Sequence, residues 1–418
     1  MKMKHLFCFL ILLITNLVTL LVADERDIKI EKKEKQLIDF FVSTCNNLIE
    51  NNEIENNNWK VQNRNQNIIT FINNKKKETL SVKIVKRGIH KSYRFTFNNI
   101  YGPNLFISTN SDCNVNIARI IHRNQSNQII ALIELSNDFQ KINKVELVNP
   151  KVPYVYPLPV GIEVALIDTG INYLLPEITS RISRKSPTEI NGFDFVDNDQ
   201  LPFDIDFASS SFFPKYHGTS VASILLKEAP EAVIVPYKFS RQNPCSFGEI
   251  IKKLRKTTIK VALLAMGSKK EKDWKCFLQE AQKSPNILFI VTAGNSNLNI
   301  DQQKIYPASF DLENMFVISS STLFGNLAKG SNFGSKSVDF LVNGEQLEVF
   351  DHRGVRSITS GSSYAAPRIA AMSVRYFAKN PTANISDFKT ILIKRAINNS
   401  EGLVKYGWIP DPLDNYLF

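Results

Sequence analysis

Gly361-Ser362-Ser363-Tyr364-Ala365-Ala366-Pro367 is a turn of small residues that leads into an apolar helical stretch, Ile369-Ala370-Ala371-Met372. A serine at such a turn carries its hydroxyl at a helix N-terminus, where unpaired backbone N–H groups favour developing negative charge. Ser363 there reads either as a nucleophile or as a helix cap, a common use of serine. Upstream of it, strand and helix signals alternate, the pattern of a parallel α/β sheet. Strands are expected at 163–167, 232–239, 259–265, 287–292 and 315–319, and helices at 218–228, 247–256 and 271–284, the second with a capping box of Ser246 and Glu249. Val261-Ala262-Leu263-Leu264 and Ile287-Leu288-Phe289-Ile290-Val291 are continuously apolar, as strands buried on both faces should be. Sites in such folds collect at the carboxyl ends of strands, where Asp168 and Asn295 fall.

Three further stretches bear on Ser363: Ala165-Leu166-Ile167-Asp168-Thr169-Gly170, Tyr216-His217-Gly218-Thr219-Ser220 and Thr292-Ala293-Gly294-Asn295. Together the four segments resemble the signature blocks of the subtilisin-like serine proteases, whose triad order along the chain is Asp, His, Ser. The resemblance runs from about Pro159 to Asn398, and four separated motifs in one order make it specific. It implies a subtilisin-like three-layer α/β domain with a mainly parallel central sheet, and a serine-type endopeptidase working through an acyl-enzyme.

On that resemblance each residue has a role. A serine hydroxyl is a weak nucleophile near neutral pH, so a base must take its proton. His217 is the base; as an isolated residue it could equally cap the helix it opens. The chain has five histidines, and the other one inside the matching region, His352, sits in the polar turn Asp351-His352-Arg353-Gly354 and reads as solvated. Asp168 orients the imidazole and stabilises its positive charge, although Asp at a strand end before Thr-Gly also reads as an Asx turn. Asn295 donates its amide to the oxyanion together with the N–H of Ser363. For substrate binding the resemblance implicates Ala265 and Gly267 as an edge that pairs with an extended peptide, and Ala293 and Gly294 as a second pocket wall, with room for a fairly large apolar residue. Ser220, Met266, Ala265 and Tyr364 depart from the usual family residues, but none removes a triad atom.

No cofactor is required for this chemistry, and no close Cys or His cluster suggests a metal. Structural calcium, common in the family, needs oxygen clusters; Asp194, Asp197, Asp199, Asp204 and Asp206 are the candidates, against a solvated acidic loop.

The net charge of +11 is unevenly spread. Residues 24–155 hold 20 Lys and Arg against 14 Asp and Glu, an excess of six positive charges, and Lys2 and Lys4 add two more. The matching region is therefore close to neutral, which argues against nucleic acid as a partner. Residues 1–23 have the basic, apolar and small-residue regions of a secretory signal with a cut after Ala23. The apolar run Leu6–Val22 is at the short limit for a membrane span, so an uncleaved anchor is the alternative, with membrane contact only in that case. The expected location is exported.

Residues 24–150 carry no catalytic motif. A helix over 27–50, with Leu37, Ile38, Phe41, Val42, Cys45, Leu48 and Ile49 on one face, precedes alternating β-branched runs at 67–72, 80–85, 93–97 and 129–133. They form a small, mainly β (α+β) domain, by resemblance a propeptide that blocks the cleft or else a retained accessory domain. A proline-rich linker, 151–160, connects it to the catalytic domain at 161–418. Of five cysteines, Cys8 lies in the signal. The other four allow one or two disulfides; Cys45–Cys113 and Cys245–Cys276 would keep each bridge inside one domain, with other pairings open. Two other readings stand beside the exported protease: a catalytically silent peptide-binding protein, and a membrane-tethered processing enzyme.

Overall fold

The computed structural model describes residues 28–50, 58–398, 402–410, 412 and 413; the expected signal segment lies outside them. The chain divides into two compact units, Met1–Lys151 and Val152–Phe418, a boundary inside the expected linker.

In the first unit the helix Lys32–Glu50 covers one face of an antiparallel meander. Its strands are β1 (Lys60–Arg64), β2 (Ile68–Asn73), β3 (Glu78–Arg87), β4 (His90–Asn99), β5 (Gly102–Asn110), β6 (Val115–Arg123), β7 (Ile129–Leu135) and β8 (Ile142–Leu147), paired in chain order. The period of two places Tyr93, Phe95 and Phe97 on one face, opposite Ile84, Val82 and Leu80 of β3. Phe41 meets Phe95 edge-on at 4.8 Å between ring centres, and Cys45 is bonded to Cys113 beyond β5. The helix is turned slightly from its expected face: Phe40 is buried against Trp59, whereas Val42 and Ile49 are exposed.

The second unit is built on an eight-stranded sheet: β9 (Ile162–Asp168), β12 (Phe193–Asp194), β13 (Ala232–Lys238), β14 (Val261–Leu264), β15 (Leu288–Thr292), β16 (Met315–Ser321), β17 (Phe340–Asn343) and β20 (Gly407–Ile409). The order is β12-β13-β9-β14-β15-β16-β17-β20, and every pair is parallel. Two small hairpins, β10 (Arg184–Ser186) with β11 (Glu189–Ile190) and β18 (Leu347–Phe350) with β19 (Arg356–Thr359), lie outside it. Helices Ser246–Leu254 and Lys275–Gln282 cover one face, with Phe247, Ile251, Phe277 and Ala281 packed on Ala262, Leu264, Phe289 and Val291. Helices Gly218–Glu228, Ser362–Lys379 and Ile385–Arg395 cover the other. This is the expected three-layer α/β arrangement, with a wholly parallel sheet. Among the described residues no helix is long and apolar enough to cross a membrane.

Near the end of the described residues β20 adds an edge to the sheet beside β17. The capping box at Ser246 does not form: Ser246 lies inside the helix, and its Oγ accepts from the N–H of Ser240 instead. A capping box does open the last helix, where Asn384 accepts from Asp387 N–H and Asp387 accepts from Asn384 N–H. Cys245 and Cys276 are bonded, joining the two helices on the first face.

Candidate active site

Asp168 is the last residue of β9, at the carboxyl end of the sheet. It is 1% exposed, and both its oxygens lie against His217 Nδ1, at 2.8 Å and 3.0 Å. His217 precedes helix Gly218–Glu228 and makes no capping hydrogen bond there. Its imidazole is therefore committed to Asp168. Gly218 is required by this approach, since a Cβ there would collide with the Gly170 carbonyl and stand 3.0 Å from Asp168 Cβ. Burial by itself pulls the imidazole down, but the charge and hydrogen bond of Asp168, with a smaller push from Asp204, hold it above the usual histidine value.

Ser363 lies in the first turn of helix Ser362–Lys379, whose N-cap is Gly361 without any side-chain cap. The serine is thus not a helix cap. Its Oγ donates to the Ala265 carbonyl at 3.0 Å, and no hydrogen bond joins it to His217. Asn295 follows β15, and its Oδ1 accepts from the N–H of Ser362 at 2.9 Å and from Ser362 Oγ at 3.0 Å. With Oδ1 held, the Nδ2 group is the donor left to turn toward a reacting carbonyl. Ser362 Oγ is itself fixed by Thr292 Oγ1 at 2.5 Å and Gly294 N–H at 3.2 Å. No sequence motif marks Ser362 and Thr292 for this role, because their contact links residues 70 positions apart in the chain.

Of the expected substrate-binding residues, Gly267 is exposed and Gly294 half-buried, whereas Ala265 and Ala293 are buried. Ala265 acts through its carbonyl on Ser363, and Ala293 through its carbonyl, which accepts from Asn332 Nδ2 at 2.7 Å.

His352, expected in a solvated turn, is half-buried and stacks on Tyr216 with ring centres 3.4 Å apart. The acidic stretch is also corrected. Asp194 and Asp204 are fully buried, since Asp194 pairs with the buried Lys238 at 2.8 Å and Asp204 accepts hydrogen bonds from Thr169, His217 and Thr219. Buried carboxylates persist only when paired or hydrogen-bonded, which these are. Among the described residues no group of three or more His, Cys, Asp or Glu side chains is placed to hold a metal ion.

The family model for the subtilases matches residues 160–408, more than half of the chain. The chain belongs to the subtilase family. It is similar to the thermophilic serine proteinase of Bacillus sp. (strain AK1), with 26% identity over 51% of this chain and 51% of that protein. It is also similar to alkaline serine exoprotease A of Vibrio alginolyticus, 26% identical over 56% of this chain and 42% of that protein. This subtilase thus spans about half the length of the curated relatives it matches. The crystal structure of a lanthipeptide protease superposes with a TM-score of 0.50 and 19% identity, covering 60% of this chain and 85% of that one, a likeness of fold.

If Asn295 serves as an oxyanion donor, its replacement by alanine lowers kcat by about 10²–10³ with KM little changed, the size measured in a subtilisin for one such donor. Steady-state kinetics on a peptide amide checks it; a loss confined to KM would remove Asn295 from the oxyanion site.

Proposed function

We propose that the chain is an exported serine endopeptidase that hydrolyses peptide bonds through Asp168, His217 and Ser363. The observation that carries this reading is the double contact of the Asp168 carboxylate with His217 Nδ1. It leaves Nε2 as the nitrogen able to take a proton. In the proposed reaction Ser363 Oγ turns from the Ala265 carbonyl, gives its proton to Nε2 and bonds to the substrate carbonyl carbon. The oxyanion accepts from Asn295 Nδ2 and Ser363 N–H. The imidazolium then protonates the leaving amine, and water repeats the sequence on the acyl-enzyme. Protein or peptide is the substrate class, with Gly267 and Gly294 beside the bound chain.

Export is supported by the signal-like residues 1–23 and by the two disulfides, which belong to an oxidising compartment. For residues 24–150 we propose intramolecular inhibition until the linker is cut. Mass spectrometry of active material should find a new N-terminus near 157–160, and a fully active uncut chain would refute that role. An N-terminal sequence beginning at Asp24 in the uncut precursor would remove the membrane-tethered alternative.

The hydrogen bond from Ser363 Oγ to Ala265 favours a second reading, a silent peptide-binding relative. A fluorophosphonate probe separates the two. The protease should take one label, at Ser363, and lose it in Ser363→Ala; mature wild-type protein that takes none would establish the silent reading.

A further inference from the structure

Behind the Asp168–His217 pair lies another acidic side chain that the reaction above leaves unused. Asp204 has no exposed surface. Its Oδ1 accepts from the Thr169 hydroxyl at 2.5 Å and from the backbone N–H of His217 at 3.1 Å, while Oδ2 accepts from Thr219 N–H at 2.9 Å. The Thr169 hydroxyl has one proton, and the short contact commits it to Asp204 rather than to Asp168 Oδ1 at 3.3 Å. Its lone pairs are then free to accept from His217 N–H at 3.1 Å and Gly218 N–H at 3.0 Å. The residue next to Asp168 in this way grips the backbone of the histidine, and Asp204 holds that grip in orientation.

We propose that Asp204 is a positioning residue of the proton-relay pair: a buried carboxylate that, through Thr169, fixes the His217 backbone in register with Asp168. The inference rests on the protease reading given above. A backbone N–H can only donate, so the side chain at 204 must offer lone pairs on both oxygens. Asparagine cannot, because its NH₂ would confront either Thr219 N–H or the His217 and Thr169 donors. Burial pushes the Asp204 carboxyl up, and the hydrogen bonds from Thr169 and Thr219 oppose that. The charged groups acting on His217 are Asp168 and Asp204, which favour the imidazolium, and Arg241, which opposes it and is itself bonded to Asp206 at 3.1 Å. From the nucleophile's helix the Tyr364 ring faces the imidazole at 5.9 Å.

The test is the second-order rate of fluorophosphonate labelling at Ser363 as a function of pH, measured on full-length protein processed as in the wild type. Asp204→Asn should label about 10²-fold more slowly, the scale of a misplaced catalytic group. Its acid limb should also move to lower pH, since loss of a negative neighbour favours the neutral imidazole. Thr169→Val should show the same slowing, and Thr169→Ser should recover most of the rate. If Asp204→Asn does not accumulate as folded protein, the Thr169 pair decides. Equal rates for Thr169→Val and Thr169→Ser would overturn the proposal. So would an Asp204→Asn enzyme with wild-type rate and an unmoved acid limb, or one whose loss matches only its unfolded fraction. Wild-type protein that takes no label at any pH would instead fail the protease reading itself.

Discussion

Ser363→Ala is expected to lower kcat by about 10⁶-fold, the size seen when the nucleophile is removed from a subtilisin. His217→Ala should cost about as much, and the double variant no more than either. In the proposed reaction the groups act as one unit: without the base, Ser363 has no partner to take its proton, and without the nucleophile the proton has no purpose. Asp168 lies within 3.0 Å of the imidazole through both oxygens, so the unit already exists on the acid–base side. In the wild type kcat/KM should rise with pH as His217 loses its proton. The raised imidazole shifts that limb upward from the ordinary histidine value, and activity falls as pH drops through it. Active-site-titrated enzyme and a peptide amide give both readings. Single-variant losses below about tenfold, or losses that multiply in the double variant, would end the case for a shared relay.

Truncating Arg368 should lower the stability of the second unit by about 3–5 kcal/mol. Arg368 lies on the helix that carries Ser363, and Glu228 closes the helix that follows His217; their Nε–Oε1 distance is 2.8 Å, and the two side chains are 7% and 9% exposed. The same guanidinium donates to the Asn343 carbonyl at 3.0 Å, and Arg375, two turns on, donates to the Glu228 carbonyl at 2.5 Å. Burial pushes the Glu228 carboxyl up while Arg368 draws it down, with smaller help from Arg375 and Lys227, so removal of Arg368 would leave a buried carboxyl without its main counter-charge. Arg368→Met alone should therefore be severe. Arg368→Met combined with Glu228→Leu should be much milder, since two apolar side chains of similar volume need no compensation. Denaturant unfolding in the Ser363→Ala background, where self-digestion is removed, measures both. A cost under 1 kcal/mol for the single variant would mean that the pair is not what holds the two helices together.

Much of the second unit was legible because its strands carry their burial in local order. Residues 261–264 and 288–291 are apolar at every position and buried at every position, the mark of a strand covered on both faces. The helix of Lys32–Glu50 was legible from its three- and four-residue spacing, though its exact face was not, since the choice between Phe40 and Val42 depends on where Trp59 arrives. Short strands at one end of the sheet escaped. β17 has four residues and β20 three, too few to show a period, and β20 exists only because β17 offers it a free edge. Ser246 and Glu249 fit a capping pattern that the fold did not use, because Ser240 claims the hydroxyl.

By itself the amino-acid order determined the α/β alternation, the mainly β character of the first unit and the choice of Asp168, His217, Ser363 and Asn295 as candidates for the proposed reaction. Each of these is written in neighbouring residues or in a short motif. Only tertiary structure decided that Asp204 and Asp194 are buried while other acids of the same stretch are not, that Ser362 holds Asn295, and that Arg368 meets Glu228. Those contacts join residues 13 to 140 positions apart. Such a contact depends on which strand ends and helix starts converge, and local spacing carries no information about that.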